Sequence, residues 1–338
     1  MPLPLTLVHI SDLHFGHPCA EREGPPPGGF PPFDGQLGHS HDALIHLTRF
    51  MDDERRSGRN VAVVVTGDLT ACGKPEEFDL AMDFLRASRV TADDQVIGLD
   101  VADVLSRTIP GNHDHWPGTY RIVGRPAGLA HVFPEGTMPA RPWKADLGRG
   151  RTLVVLAIDS DADVPDVSHT RYLARGSFVS QLQALKQAIV PGEDAPDELR
   201  VLLVHHSPMY GRPLDPQLRI DPESQAKLQE FISWARVRVL LTGHIHTLDT
   251  ARRTYTRSGY AWQVAEIRCG TTTQISRPPR WWKKAGHALR RPLPKNTLVV
   301  HTLEQMDDGV RWTPQAYRLF GKDFWKKERA MASLEIRL

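Results

Sequence analysis

Cysteine is scarce in this chain. Its three copies, Cys19, Cys72 and Cys269, are odd in number and far apart. That spacing excludes a disulfide framework and the paired thiolates of a structural zinc module, and it fits a reducing cytoplasm. Long apolar runs are also missing, and Met1-Pro2-Leu3-Pro4-Leu5 lacks a basic start followed by an extended apolar stretch. A soluble, cytoplasmic protein is therefore expected. Nor is there an excess of one charge: the formal net charge is +2 with 24% charged residues, so nothing global argues for nucleic acid. What remains is a 338-residue chain long enough for one large α/β domain or two smaller ones, with sixteen histidines whose positions are unusual.

Those histidines follow apolar runs. Leu5 to Ile10 predicts a buried strand that delivers Ser11-Asp12-Leu13-His14 at its end. In an extended segment Asp12 and His14 point the same way and can grip one cation, although a strand-end turn with a solvated Asp gives the same letters. Helical spacing of Ala43, Leu44, Leu47, Phe50 and Met51 predicts a helix over 41–57, with His46 a packing or surface residue. Val61-Ala62-Val63-Val64-Val65 is the clearest strand. It ends in Thr66-Gly67-Asp68, where the two oxygens of Asp68 could each face a metal, and a helix over 76–85 follows. Val104, Leu105 and Ile109 predict a short strand stopped by Pro110-Gly111, which places Asn112-His113-Asp114 in a turn at its carboxyl end. Further strands are predicted at 153–158, 201–204 and 237–241, with helices at 178–189 and 228–234. They lead to Asp159-Ser160, to His205-His206 and to Gly243-His244-Ile245-His246. Two adjacent histidines cannot both face one cation from an extended backbone, so His205 is the candidate ligand and His206 its support. Asp159 either reaches the site or caps its strand. The repeated strand, loop and helix predict βαβ units and a largely parallel sheet, with ligands outside the carboxyl ends of its strands.

The ordered set Asp12-x-His14, Gly67-Asp68, Gly111-Asn112-His113-Asp114, His205 and Gly243-His244-x-His246 resembles the calcineurin-like metallophosphoesterase superfamily. Gly-Asp-Leu-Thr continuing through Gly73-Lys74-Pro75-Glu76-Glu77-Phe78, with Ile158-Asp159-Ser160 before an amphipathic helix, is similar to its class III cyclic-nucleotide and glycerophosphodiester phosphodiesterase branch. The resemblance implies a two-sheet α/β/β/α sandwich with a metal site at the carboxyl ends of strands. It implies that Asp12, His14 and His246 hold one metal, that Asn112, His205 and His244 hold a second, and that Asp68 bridges them. The ions would be divalent or mixed-valence transition metals, and Mn, Fe, Zn, Co and Ni all suit such N/O sites. Two such ions activate a shared water for in-line attack at phosphorus. His113 is then the general acid that protonates the leaving oxygen, with Asp114 orienting its ring. His17, His115, His206 and Asp159 are candidates to support the ligands or touch substrate.

One domain is expected over 1–320, carrying a Gly/Pro-rich insertion at 15–40 and a basic, aromatic insertion at 277–295, followed by a C-terminal extension at 321–338. The first insertion is either a lid or a surface loop. The second contains Arg277-Pro278-Pro279-Arg280-Trp281-Trp282-Lys283-Lys284 and Arg290-Arg291. It could track nucleic acid, rest on an anionic membrane surface, or pack its tryptophans on the body. Strands at 260–267, 296–303 and 309–317 are expected to close the second sheet as a hairpin or meander. The preferred substrate is a small or lipid-derived phosphodiester. A nuclease or phosphomonoesterase of the same superfamily, or a scaffold without chemistry, are the alternatives.

Overall fold

The structure, a computed structural model, describes residues 4–16, 38–90, 95–116, 128–133, 138, 140–165, 175–209, 219–274, 296–320 and 324–338. The expected insertion at 277–295 and His17 lie outside these residues, as does most of the expected loop at 15–40. In chain order the elements are β1 (Leu5–Ile10), α1 (His41–Arg56), β2 (Asn60–Thr66), α2 (Pro75–Leu85), β3 (Arg89–Val90), β4 (Val96–Ile97), α3 (Val104–Arg107) and β5 (Thr108–Ile109). A 3-10 turn (Asn112–His115), α4 (Leu129–Val132), β6 (Trp143–Gly148), β7 (Arg151–Ile158), α5 (Val179–Ala188), β8 (Glu198–Val204), α6 (Pro222–Ala235) and β9 (Val239–Thr242) follow. The chain closes with β10 (Asp249–Arg257), β11 (Tyr260–Arg268), β12 (Thr297–Gln305), β13 (Gly309–Phe320), β14 (Phe324–Ala330) and β15 (Leu334–Arg337).

Two mixed sheets result. The first runs β14-β13-β12-β1-β2-β5, with β15 also on β13, and the second runs β10-β11-β9-β8-β7-β6. Along β7 the side chains divide between two cores. Leu153, Val155 and Ala157 join the core that also holds β1, β2, α1 and α2, whereas Val154, Leu156 and Ile158 join one with Leu182 and Leu185 of α5 and Phe231 and Ile232 of α6. Burial on both faces explains why the central strands read as unbroken apolar runs rather than alternating ones. The layers are therefore helix, sheet, sheet, helix. The helices are marked by ordinary local signals. In α1, Ser40 caps the start by accepting from Ala43 N at 3.3 Å, and Arg55 and Arg56 occupy the last turn. None of the described helices is long and apolar enough to cross a membrane.

Several expectations change. The sheets are parallel only in part, along the β1-β2-β5 end of the first and at the centre β7-β8-β9-β11 of the second, because β12 pairs antiparallel with β1 and hairpins β6-β7, β10-β11 and β12-β13 add antiparallel strands. The three strands expected to close the second sheet are split: β11 lies beside β9 in that sheet, while β12 and β13 form a hairpin that extends the first sheet from β1. Val104 and Leu105 begin a helical turn, not a strand. Ser106 Oγ bonds back to Asp103 Oδ2 at 2.5 Å, offering the backbone a local partner in place of a sheet neighbour. Residues 324–338 contribute β14 and β15 to the first sheet, both paired with β13.

Candidate metal centre

The carboxyl ends of β1, β2, β5, β8 and β9 meet at one place, and the backbone there is strained. Asp12, His14, Asp68, His244 and His246 all have left-handed φ, between 49° and 68°. Such a conformation costs a non-glycine residue about 1–2 kcal/mol, so five together are held by their surroundings. This corrects the extended geometry expected for Asp12-x-His14: the two side chains converge because both residues turn, not because the strand continues. Backbone bonds lash the turns together, with Asp12 N donating to Gly67 O at 2.9 Å and Gly243 N to His205 O at 3.2 Å. His205 Nδ1 lies 2.7 Å from Thr66 O, which ties the end of β8 to the end of β2 across the two sheets.

The residues form two groups that share Asp68. Ligand atoms of Asp12, His14, Asp68 and His246 lie within 4.8 Å of one another, and so do those of Asp68, His205 and His244. Asn112 Oδ1 joins the second group, 3.3 Å from His205 Nε2. His14 Nε2 faces His246 Nε2 at 3.3 Å, and Asp12 Oδ1 lies 3.0 Å from His246 Nε2. Asp68 Oδ1 accepts from the backbone N–H of His113 at 2.9 Å. Its other oxygen approaches both groups, 3.3 Å from His205 Nε2 and 3.8 Å from His14 Nε2. Thus one oxygen of Asp68 bonds a peptide N–H while the other faces ring nitrogens of both groups.

Charge in this dry space is unevenly placed. Burial would raise Asp68, but the His205 and His113 rings, a hydrogen bond from His205 and the His14 ring hold it well below the carboxylate range. Burial opposes a charge on His205, yet Asp68, Asp12 and the Thr66 carbonyl outweigh it and push that ring to about 10. His14 falls to about 3 and His244 falls well below the imidazole range, first through burial and then through neighbouring rings. Neutral imidazoles at His14 and His244, ionised carboxylates, an amide oxygen and the His205 ring, once it gives up its proton, fit a pair of borderline transition-metal cations. Glycine makes the cluster this tight: a Cβ at Gly67 would sit 2.8 Å from His205 Cγ, and one at Gly243 would sit 2.8 Å from Asp12 Oδ2.

His113 is at the rim of the first group. Its Nδ1 lies 2.8 Å from Ala71 O, its ring stacks on Trp116 at 3.9 Å, and the His14 ring meets its edge at 4.7 Å. Asp114 is not bonded to that ring, contrary to the orienting role the resemblance implies for it. Its buried carboxylate accepts from Gly111 N, Leu69 N, Thr70 N and Thr70 Oγ at 2.7–3.0 Å, pinning the Asn-His-Asp turn to the turn after β2. Burial, then the charge of Asp68, raises Asp114 to about 6. Asp159 accepts from His115 at 2.9 Å and from Asp161 N at 2.9 Å, so it braces the same turn. His206 turns away from the shared carboxylate: its Nδ1 lies 2.8 Å from Ser160 Oγ, and its ring rests 4.2 Å from that of His244.

Sequence reasoning missed the support under Asp12. Thr271 Oγ donates to Asp12 O at 2.9 Å, Thr272 Oγ accepts from Ser11 N at 3.0 Å, and Thr273 Oγ donates to Leu13 O at 2.6 Å. The signal was there as three successive threonines after a strand, but only the fold shows which turn they hold. Trp116 was also overlooked, as an aromatic in a region without periodicity.

A family model described as calcineurin-like phosphoesterase matches residues 5–248. No match was found among curated proteins. Among solved structures, the chain is similar to the sulfate thiohydrolase SoxB of Thermus thermophilus in complex with glycerol, with a TM-score of 0.41 and 16% identity. That match covers 92% of this chain but only 55% of SoxB, so the chain spans about half of that protein. The protein TT1561, also of Thermus thermophilus, is similar with a TM-score of 0.35 and 14% identity over 79% of this chain and 89% of that one.

Proposed function

The chain belongs to the calcineurin-like phosphoesterase family, whose chemistry is metal-dependent phosphoester hydrolysis, and from that premise we propose that it is a dinuclear-metal phosphodiesterase with His113 as general acid. Asp12, His14 and His246 would hold one ion, Asn112, His205 and His244 the other, and Asp68 both. Bound there, two cations supply Lewis-acid charge that activates water and stabilises charge developing on phosphorus. The chain's own residues do the rest. His205 must lose its proton to serve as a ligand, so the cluster binds metal in a pH-dependent way. The observation that carries the diesterase reading is the setting of His113. Its Nδ1–H donates to Ala71 O, which leaves Nε2 to carry the mobile proton, and Trp116 and His14 fix the ring in place. A proton held at Nε2 beside the Asp68 cluster can be given to a departing alkoxide, which matters most when the leaving group is poor, as in an alkyl or ribosyl diester. The substrate we favour is a small or lipid-derived phosphodiester.

The test is hydrolysis of bis-p-nitrophenyl phosphate beside p-nitrophenyl phosphate by the manganese-loaded protein. A marked diester preference is expected. A preference for the monoester would replace this reading with a phosphatase.

A further inference from the structure

At the amino ends of β8 and β9, the opposite end of the second sheet from the Asp and His cluster, the surface opens into a cleft of about 260 Å³. Arg200, Arg236, Arg238 and Arg337 line it against a single acidic side chain, Glu198. Glu198 is already engaged, 2.6 Å from Arg200 and 3.0 Å from Lys144. Arg337 has Asp308 at 3.3 Å. Arg236 and Arg238 have no carboxylate partner among the described residues. Instead both stand over the ring of Tyr260, 5.4 and 5.6 Å from its centroid, and that residue is 42% exposed. Arg238 Nη2 donates to Tyr260 Oη at 3.2 Å, which leaves the phenolic hydrogen to be donated elsewhere. Arg236 also sits in the left-handed position that ends α6, with φ 51° and ψ 43°. Glycine is the usual occupant there, so an arginine bears a backbone strain and gives the position only a guanidinium in return.

We propose that this cleft binds a phosphate-sized oxyanion, with the guanidiniums of Arg236 and Arg238 and the hydroxyl of Tyr260 as donors. Guanidinium forks match the oxygens of a tetrahedral anion. Nη2 of Arg238 is shared between Tyr260 Oη at 3.2 Å and Arg337 O at 3.4 Å, so its Nε and Nη1 and the guanidinium of Arg236 are the donors offered to the anion. The site shares no residue with the Asp68 cluster and needs no metal.

Calorimetric titration of inorganic phosphate into the full chain tests this. Wild type and Asp68→Ala are both expected to bind phosphate, as is wild type with excess chelator. Adding Arg236→Gly and Arg238→Gln to the Asp68→Ala chain should weaken that binding at least tenfold. Arg236→Gly suits the backbone at its position, and a thermal melt by circular dichroism checks that the combined variant folds. Phosphate binding that disappears with Asp68→Ala and with chelator, or that is unchanged without both arginines, overturns the site. Because the readout is binding, either result leaves the hydrolytic reading where it stood.

Discussion

Replacing Gly111 with alanine is a small change aimed at the centre of the cluster. The residue has φ −113° and ψ −175°, an extended backbone open to any amino acid, so the substitution brings no conformational penalty. A Cβ there would lie 2.5 Å from Asp68 N and 2.7 Å from His205 Nε2, and closer still to Asp68 Oδ1, whereas ordinary contact begins near 3.4 Å. Relief requires the shared carboxylate or the ring of His205 to move by about 1 Å, a displacement that can cost about 100-fold in rate. Overpacking adds about 1–3 kcal/mol of lost stability. Metal content by mass spectrometry, kcat on bis-p-nitrophenyl phosphate and the urea midpoint together read the effect. A Gly111→Ala protein with wild-type metal content and kcat within twofold would refute the reasoning and leave the glycine a turn former only.

His113→Gln is expected to keep its metals and to lose about 10²–10⁴ in turnover, more on alkyl diesters than on nitrophenyl ones, as kcat across a series of leaving groups will show. Loss of metal instead would make His113 a ligand. His9 supplies a pH test of the fold. Burial lowers it from 6.5 to about 3 despite the nearby charge of Asp12. The folded state therefore keeps His9 neutral where the unfolded chain takes up a proton. Its contribution is fully present above pH 6.5 and is lost as pH falls from there toward 3, at about 1.4 kcal/mol per pH unit. In His9→Gln, which can keep the bond to Thr66 Oγ, the stability difference between pH 7.5 and pH 5.5 measured in urea should shrink by about that amount; an unchanged difference would contradict it.

The apolar runs at β1, β2, β7, β8 and β9 were legible because a strand buried on both faces has no polar alternation to confuse it. The polar residues at their ends stand out for the same reason, and the fold does gather Asp12, His14, Asp68, Asn112, His205, His244 and His246. Pairing was harder. Nothing local to Thr297–Gln305 says that it lies beside β1, at the far end of the sequence, rather than beside the strand that precedes it in the chain. Short strands such as Thr108–Ile109 carry too few residues to show a period, and Ser106 diverts the preceding segment into a helical turn. The role of Asp114 was misread because a carboxylate next to a histidine suggests a pair, while the chain uses it to satisfy four donors of two facing turns. Gly111 was read as a turn residue, yet what it provides is room.

The most direct test of the shared centre is metal stoichiometry measured together with hydrolysis in wild type and Asp68→Ala. Two ions per chain and diester hydrolysis are expected in the first, with both lost or severely reduced in the second, because one carboxylate serves both groups. An Asp68→Ala protein that still binds two ions and hydrolyses the diester at the wild-type rate would contradict a shared metal centre.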